Sequence, residues 1–262
     1  MKIVIHGGPN SGKTQLLLAM REKLQGATFL DGNVENPSLK GYFGQKEAKR
    51  EPFNILAPVR NYMVCASCGL CAKKCPFEAI SKEDLWIDPL ECEGCGICAE
   101  HCPQKALQMV NMQVGQLVKT EDGGQTLFYG ELMPGAIGGP LMVEKLKQEA
   151  AEHTSDILLC ETYGLGEAAA RLLDDAEMVV VVLSAKDKDI ADRLKTLPKE
   201  DYVEKFFLLN RVDGNKTDED ELINKMTEEG FKVLPQIEEY SDLEQQKVRF
   251  MEVAELINSK LN

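Results

Sequence analysis

No stretch of this 262-residue chain approaches the roughly 20 consecutive apolar residues that a membrane-spanning helix needs. The opening Met1-Lys2-Ile3-Val4-Ile5 runs straight into Gly7-Gly8, without the longer apolar region and small-residue cleavage site of a secretory leader. The expectation is a cytoplasmic protein with no membrane span. Positive charge is also in short supply: 30 Lys and Arg stand against 43 Asp and Glu, a formal net charge of −13. An acidic surface repels phosphate backbones, so a nucleic-acid partner is not expected. The local basic patch Lys46-Glu47-Ala48-Lys49-Arg50 reads first as a solvated face and second as a dock for an acidic partner. Histidine is scarce, at three. His6 and His101 read as packed or surface residues, and His153 as a helix-end residue whose cation would suit the dipole.

Cysteine, in contrast, is concentrated. Eight of the nine lie between Cys65 and Cys102. Disulfides are rare in reducing cytoplasm, so such a block points to metal. The ninth, Cys160, sits in the apolar run Ile157-Leu158-Leu159 and reads as a buried core thiol.

The cysteine block is an internal repeat. "CASCGLCAKKCPFEAI" is answered by "CEGCGICAEHCPQKAL", with the same cysteine spacing, the same glycine (Gly69, Gly96) and the same Pro-x-x-Ala tail. Each half follows C-x2-C-x2-C-x3-C-P, the two-cluster bacterial ferredoxin run. Three closely spaced thiolates hold three iron corners of a cube, and the fourth comes from the other half. One [4Fe–4S] cluster is therefore assigned to Cys65, Cys68, Cys71 and Cys102, and a second to Cys92, Cys95, Cys98 and Cys75. Structural zinc instead favours two separated C-x2-C pairs.

A second device opens the chain. Lys2–His6 is a short β-branched run, and Thr14–Leu24 has a helical apolar face. Between them, Gly7-x-x-x-x-Gly12-Lys13-Thr14 fits the Walker A pattern. Its backbone amides would cradle phosphate, Lys13 would reach the β- and γ-phosphates, and the Thr14 hydroxyl would ligate Mg²⁺. The expected nucleotide-contacting set from this loop is Gly7, Gly8, Pro9, Asn10, Ser11, Gly12, Lys13, Thr14 and Gln15.

Beyond the cysteines, Val114–Lys119 and Thr126–Tyr129 flank Asp122-Gly123-Gly124, a hairpin signal. Helix-like segments near 141–153, 166–173, 188–196 and 219–229 then alternate with apolar runs at 156–161, 178–184 and 205–210. A strand at 231–237 and a helix at 243–261 complete the chain. Alternation of this sort favours a mostly parallel sheet covered by helices on both faces. The expected organisation is a P-loop nucleotide-binding domain from residues 1–57 and 112–262, with a small α+β ferredoxin domain, residues 58–111, inserted into it.

With both devices in view, the chain resembles the MinD/ParA/Mrp group of P-loop ATPases, and within it the subfamily with an inserted ferredoxin domain, found mainly in anaerobic bacteria and archaea. "FLDGNVENPSL" resembles its switch I segment, "DILLCETYGLG" its Walker B and switch II segment, and "FFLLNRV" the strand whose asparagine, here Asn210, contacts adenine. "VLPQI" resembles the strand and proline loop that follow. The resemblance implies ATP/ADP and Mg²⁺ as ligands, and it adds Asn210 and Arg211, from a later strand, to the nucleotide-contacting set. It also implies a homodimer, or a heterodimer with a related ATPase, and a partner redox protein or metalloenzyme. Its relatives include the nitrogenase iron protein, carbon-monoxide-dehydrogenase maturation ATPases and iron–sulfur carrier ATPases.

The departures from that family concern hydrolysis. Its signature lysine, which reaches across the dimer, is here Gly8. Its usual Asp-x-Asp reads Asp31-Gly32-Asn33, and an amide cannot take a proton as a carboxylate can. Glu35 is a candidate substitute. The Walker B aspartate is Glu161, and Tyr163 replaces a switch II proline. The candidate catalytic set is therefore Lys13, Asn33, Glu35 and Glu161, in a slow or partner-dependent ATPase. The main expectation is a nucleotide-dependent redox switch that delivers low-potential electrons to, or matures, a partner metalloprotein. The alternative is a ferredoxin-type electron-transfer or sensing module whose nucleotide domain binds ATP or ADP but scarcely hydrolyses it. A cluster carrier would need a further C-x-x-C pair, which the sequence lacks.

Overall fold

A computed structural model describes all residues except 46–47, 89–90, 154–155, 163, 165, 185–186, 188–194, 196, 199–201, 213–215, 239–241 and 262. Tyr163, most of the helix expected at 188–196 and part of the Lys46–Arg50 patch thus lie outside the described residues.

One mixed sheet organises the chain. Its strands are β1 (Lys2–Gly7), β2 (Thr28–Asp31), β3 (Lys49–Arg60), β4 (Leu107–Asp122), β5 (Gln125–Leu132), β6 (Leu158–Glu161), β7 (Met178–Ser184), β8 (Glu204–Val212), β9 (Lys232–Val233) and β10 (Ile237–Glu238). Their order is β10-β8-β7-β1-β6-β2-β5-β4-β3, with β9 also paired to β8. From β10 to β5 every neighbour is parallel. β5–β4 and β4–β3 are antiparallel. The tight turn at Gly123-Gly124 joins β4 to β5, as its sequence signal predicts.

The central strands are apolar without alternation because both faces are covered. In β1, Ile3 and Ile5 point into one core and Val4 into the other. Helices α1 (Lys13–Lys23) and the C-terminal α7 (Leu243–Asn258) close the first core through Leu16, Leu17, Met20, Phe250 and Ala254. Helices α4 (Gly139–Glu152), α5 (Glu167–Leu173) and α6 (Lys216–Glu228) close the second through Met142, Leu146, Leu172 and Met226. Cys160 is fully buried there, and burial pushes its thiol up to about 12.

The edge strand β3 is absent from the sequence reading. Its charged start and two prolines, Pro52 and Pro58, argue against a strand, but an edge strand tolerates both. β3 and β4 form a long ribbon, with a bulge at Phe53/Asn54, that carries the cysteine segment on its far end, where Arg60 pairs Leu107. The insert therefore departs from this ribbon, not directly from the end of β2. A 3-10 turn at Leu39–Tyr42 and the whole of β3 intervene. Between the ribbon ends lie two short helices, α2 (Leu70–Lys74) and α3 (Ile97–Glu100), around a small core of Cys71, Ala72, Ile80, Leu85, Cys98 and Leu107. Among the described residues no helix is long and apolar enough to cross a membrane.

Candidate functional site

The carboxyl ends of β1, β2, β6 and β8 converge, which is where open α/β sheets bind ligands. The loop after β1 leads into α1, and Asn10, Ser11, Gly12, Lys13, Thr14, Gln15 and Arg211 line one open depression. Lys13 is buried, and its Nζ donates to the Gly8 carbonyl at 2.6 Å across the loop. Asn210, at the end of β8, donates through Nδ2 to the Ser11 carbonyl at 2.7 Å. That bond fixes the amide orientation. Its Oδ1 is buried without a hydrogen-bond partner among the described residues. An orphaned acceptor of this kind suits a donor such as the exocyclic amine of adenine.

Two carboxylates stand beside the loop. Glu161, at the end of β6, accepts from the Thr14 hydroxyl at 2.7 Å and from the Ser38 hydroxyl at 3.4 Å. Asp31, at the end of β2, accepts from the Asn33 and Leu39 amides at 3.0 and 2.8 Å and from the same Ser38 hydroxyl at 3.4 Å. Burial and the nearby Glu161 charge push Asp31 up to about 7. Burial also raises Glu161, against the opposing pull of Thr14 and Lys13. Two crowded carboxylates and a hydroxyl form an all-oxygen donor set that fits Mg²⁺. Asp31 and Ser38 are absent from the ligand set that the sequence suggests. The Asp31-Gly32-Asn33 motif was the available signal.

Native Asp31 keeps a proton that the unfolded chain has already lost between about pH 4 and pH 7. Its stabilising contribution is therefore full at acid pH, falls as pH rises through that window and is flat above it. Denaturant midpoints of the nucleotide-free protein from pH 5 to 8 should show this decline, at most about 1.4 kcal/mol per pH unit. Asp31→Asn should flatten it; an unchanged slope would refute the assignment.

Among the described residues Asn33 and Glu35 make no hydrogen bond to the loop. The Asn33 side chain accepts from the Asn36 amide at 3.2 Å, holding a local turn. Glu35 is exposed. His6 is buried, with Nδ1 2.7 Å from the Thr162 hydroxyl, so it links the start of the phosphate loop to the residue after Glu161. His101 is exposed. His153 differs from expectation: burial and then Lys119 lower its pKa, which favours the neutral ring rather than a helix-end cation. It packs edge-on to Phe128 at 5.8 Å.

In the insert, Cys65, Cys68, Cys71 and Cys102 line a single cavity with Arg60 and Leu85. Cys75 and Cys95 lie close enough to Cys92 to influence its thiol electrostatically, and Cys92, Cys95 and Cys71 do the same for Cys98. The first crosswise set thus shares one cavity, and the cysteines of the second lie near one another, with Cys71 of the first also near Cys98. None of the nine cysteines is joined in a disulfide. Among the described residues no set of three His, Cys, Asp or Glu is gathered around a single-ion position. Thiolates arranged around a cavity fit the corners of an iron–sulfur cube.

A cysteine-bearing ferredoxin unit carried on a P-loop α/β fold defines the class: an iron–sulfur-binding chain built on a nucleotide-binding fold. The comparisons with known proteins place both parts. The family model for the 4Fe-4S binding domain matches twice, over residues 58–81 and 85–108. The fold is that of MinD- and ParA-type P-loop ATPases. Cobyrinic acid a,c-diamide synthase from Mycobacterium smegmatis, solved with an ATP analog and magnesium, superposes with a TM-score of 0.53 at 15% identity, over 98% of this chain and 93% of that one. MinD from Pyrococcus horikoshii OT3, complexed with Mg-ADP, gives 0.52 at 14%, over 100% and 97%. The MinC:MinD complex of Aquifex aeolicus gives 0.51 at 14%, over 99% and 96%. A search of curated proteins returns no match.

Proposed function

We propose that this protein is a nucleotide-dependent redox switch. It binds ATP or ADP with Mg²⁺ and two [4Fe–4S] clusters, and it works in the cytoplasm as a dimer or beside a related ATPase. Nucleotide state governs delivery of low-potential electrons to, or maturation of, a partner metalloprotein. One observation supports this reading above the others: helix α5 touches both devices. Gly32 lies against α5 so closely that a Cβ there would stand 2.4 Å from Leu172 Cδ1. At the same helix, Arg171 Nη2 meets Glu93 Oε2 at 3.0 Å. Glu93 lies between Cys92 and Cys95, and its side chain is only 7% exposed. A shift of the Asp31–Ser38 segment would therefore press on α5 and reach a cysteine loop.

In this reading Lys13 and the loop amides hold phosphate, Asn210 reads adenine, and Thr14, Glu161 and Asp31 hold Mg²⁺, which would neutralise phosphate charge. The cysteines hold the electron relay. Residues 1–57 and 112–262 serve the nucleotide, and residues 58–111 the clusters. Hydrolysis is slow, because Asn33 carries an amide where the family has a carboxylate and Glu35 is exposed.

A second reading, binding with scarcely any hydrolysis, draws support from Gly8. A Cβ there would stand 2.2 Å from Asp187 Oδ1, and the Asp187 carboxylate is anchored on the Ser184 amide at 2.7 Å. An acid thus stands where the signature lysine would leave the loop. The discriminating experiment is anaerobic ATP turnover and ADP affinity, each measured with the clusters oxidised and reduced. The switch requires a response of either quantity to reduction. Identical values in both redox states, at full iron content, would favour the second reading.

A further inference from the structure

Arg60 ends β3 at the mouth of the first cysteine set. It is 9% exposed. Nη2 donates to Cys71 Sγ at 3.6 Å, Nη1 donates to the Leu85 carbonyl, and Nε has no hydrogen-bond partner. Among the described residues no carboxylate forms an ion pair with it. The exposed Asp84 feels its charge, and the Tyr62 ring lies 5.8 Å away. A guanidinium stays charged in any protein environment, and a buried charge without a counter-ion is costly. Its nearest candidate counter-charge is the thiolate set of Cys65, Cys68, Cys71 and Cys102, which shares its cavity.

We propose that Arg60 sets the redox polarity of the insert: its buried positive charge makes the cluster held by this set the easier of the two to reduce. The proposal rests on the two-cluster reading above, but not on nucleotide coupling. One electron from an external low-potential donor raises the cluster's negative charge by one unit. No bond forms or breaks. Arg60 stabilises the more negative state, as nearby charge and hydrogen bonds to sulfur do generally. A second donor acts in the same direction: the Ala106 amide reaches Cys102 Sγ at 3.3 Å. The other set also takes backbone donors, Gly94 to Cys92 and Ala99 to Cys98, but the charged group beside it is the Glu93 carboxylate, already paired with Arg171.

Position matches potential. The second set faces the nucleotide domain through Glu93 and Arg171, whereas the first lies beside Tyr62 and Met63, which are 72% and 93% exposed. An electron would rest at the first cluster, on the side of Tyr62 and Met63, and leave from there.

The test is an anaerobic redox titration followed by electron paramagnetic resonance on reconstituted wild type, Arg60→Met and Arg60→Lys, with iron counted in each. A Cys68→Ser variant marks the wave that belongs to the first set. Wild type should carry eight irons and show two one-electron waves, the upper being the one that Cys68→Ser alters. Arg60→Met should lower that wave by a tenfold or larger change in the reduction equilibrium, about 59 mV for one electron. The other wave should stay in place. Arg60→Lys, which keeps a cation and guards against poor loading of the methionine variant, should fall between. An unmoved upper wave in loaded Arg60→Met, or equal shifts in both variants, would overturn the proposal. A wild-type count of four irons would instead remove the two-cluster reading, and this inference with it.

Discussion

Replacing Lys13 by alanine should weaken Mg·ATP binding by about 10- to 100-fold and bring any turnover to background, while iron content stays unchanged. The magnitude follows from the bond that is lost, since a hydrogen bond to a charged group contributes about 1.5–3 kcal/mol, and about 1.4 kcal/mol is tenfold in affinity. Lys13 also organises the site without ligand. Its Nζ bridges the loop to the Gly8 carbonyl, and its charge holds down the raised Glu161 pKa. Its removal should loosen the loop and leave Glu161 more readily protonated. Lys13→Met keeps most of the buried stem, so a similar loss there would assign the effect to the ammonium. Calorimetric titration with Mg·ADP measures both variants. Affinity within threefold of wild type would mean that nucleotide binds elsewhere or not at all. The cysteine insert, on its own ribbon, provides the internal control: a variant that lost iron as well would have failed by unfolding.

The two devices at the heart of this molecule were legible because each is local. A phosphate loop needs its glycines, lysine and threonine within eight residues of chain. A cubane site needs three thiolates within seven. The buried parallel strands were legible too, since β7 is a continuous apolar run. What escaped the sequence was everything decided across long separations. Arg171 and Glu93 are 78 residues apart, and Arg60 meets the Leu85 carbonyl across 25. Neither pair leaves a period or a spacing to detect. β3 escaped for a different reason, because only its position at the sheet edge reconciles two prolines with a strand. The same holds for His153. As a helix-terminal residue it suggests a cation, but partial burial against Phe128 and the nearby Lys119 lower its pKa.

Arg171→Ala should abolish the response of nucleotide affinity to cluster reduction, leaving both binding and iron loading in place. Thermodynamic linkage requires that, if reduction changes nucleotide affinity, nucleotide changes the reduction potential by the same factor, so either measurement reports the coupling. Of the contacts described here, the Arg171–Glu93 ion pair joins α5 directly to a cysteine loop. Desolvation raises the Glu93 pKa, and Arg171 acts against it. Without the guanidinium, Glu93 would sit nearly buried and uncompensated. It would take up a proton or swing outward, and the loop between Cys92 and Cys95 would lose its tie to the helix. Breaking a buried pair by removing one partner costs about 3–5 kcal/mol; here Arg171 is 22% exposed, which reduces the penalty. Glu93→Gln offers the complementary change, because it removes the charge and keeps a group able to accept from Arg171. If the tie works through charge, both variants lose the coupling. If it works through contact alone, Glu93→Gln keeps it. If coupling survives in Arg171→Ala and in the Arg171→Ala, Glu93→Gln double variant, α5 does not carry the signal, and the nucleotide and the clusters communicate by another route or through a partner.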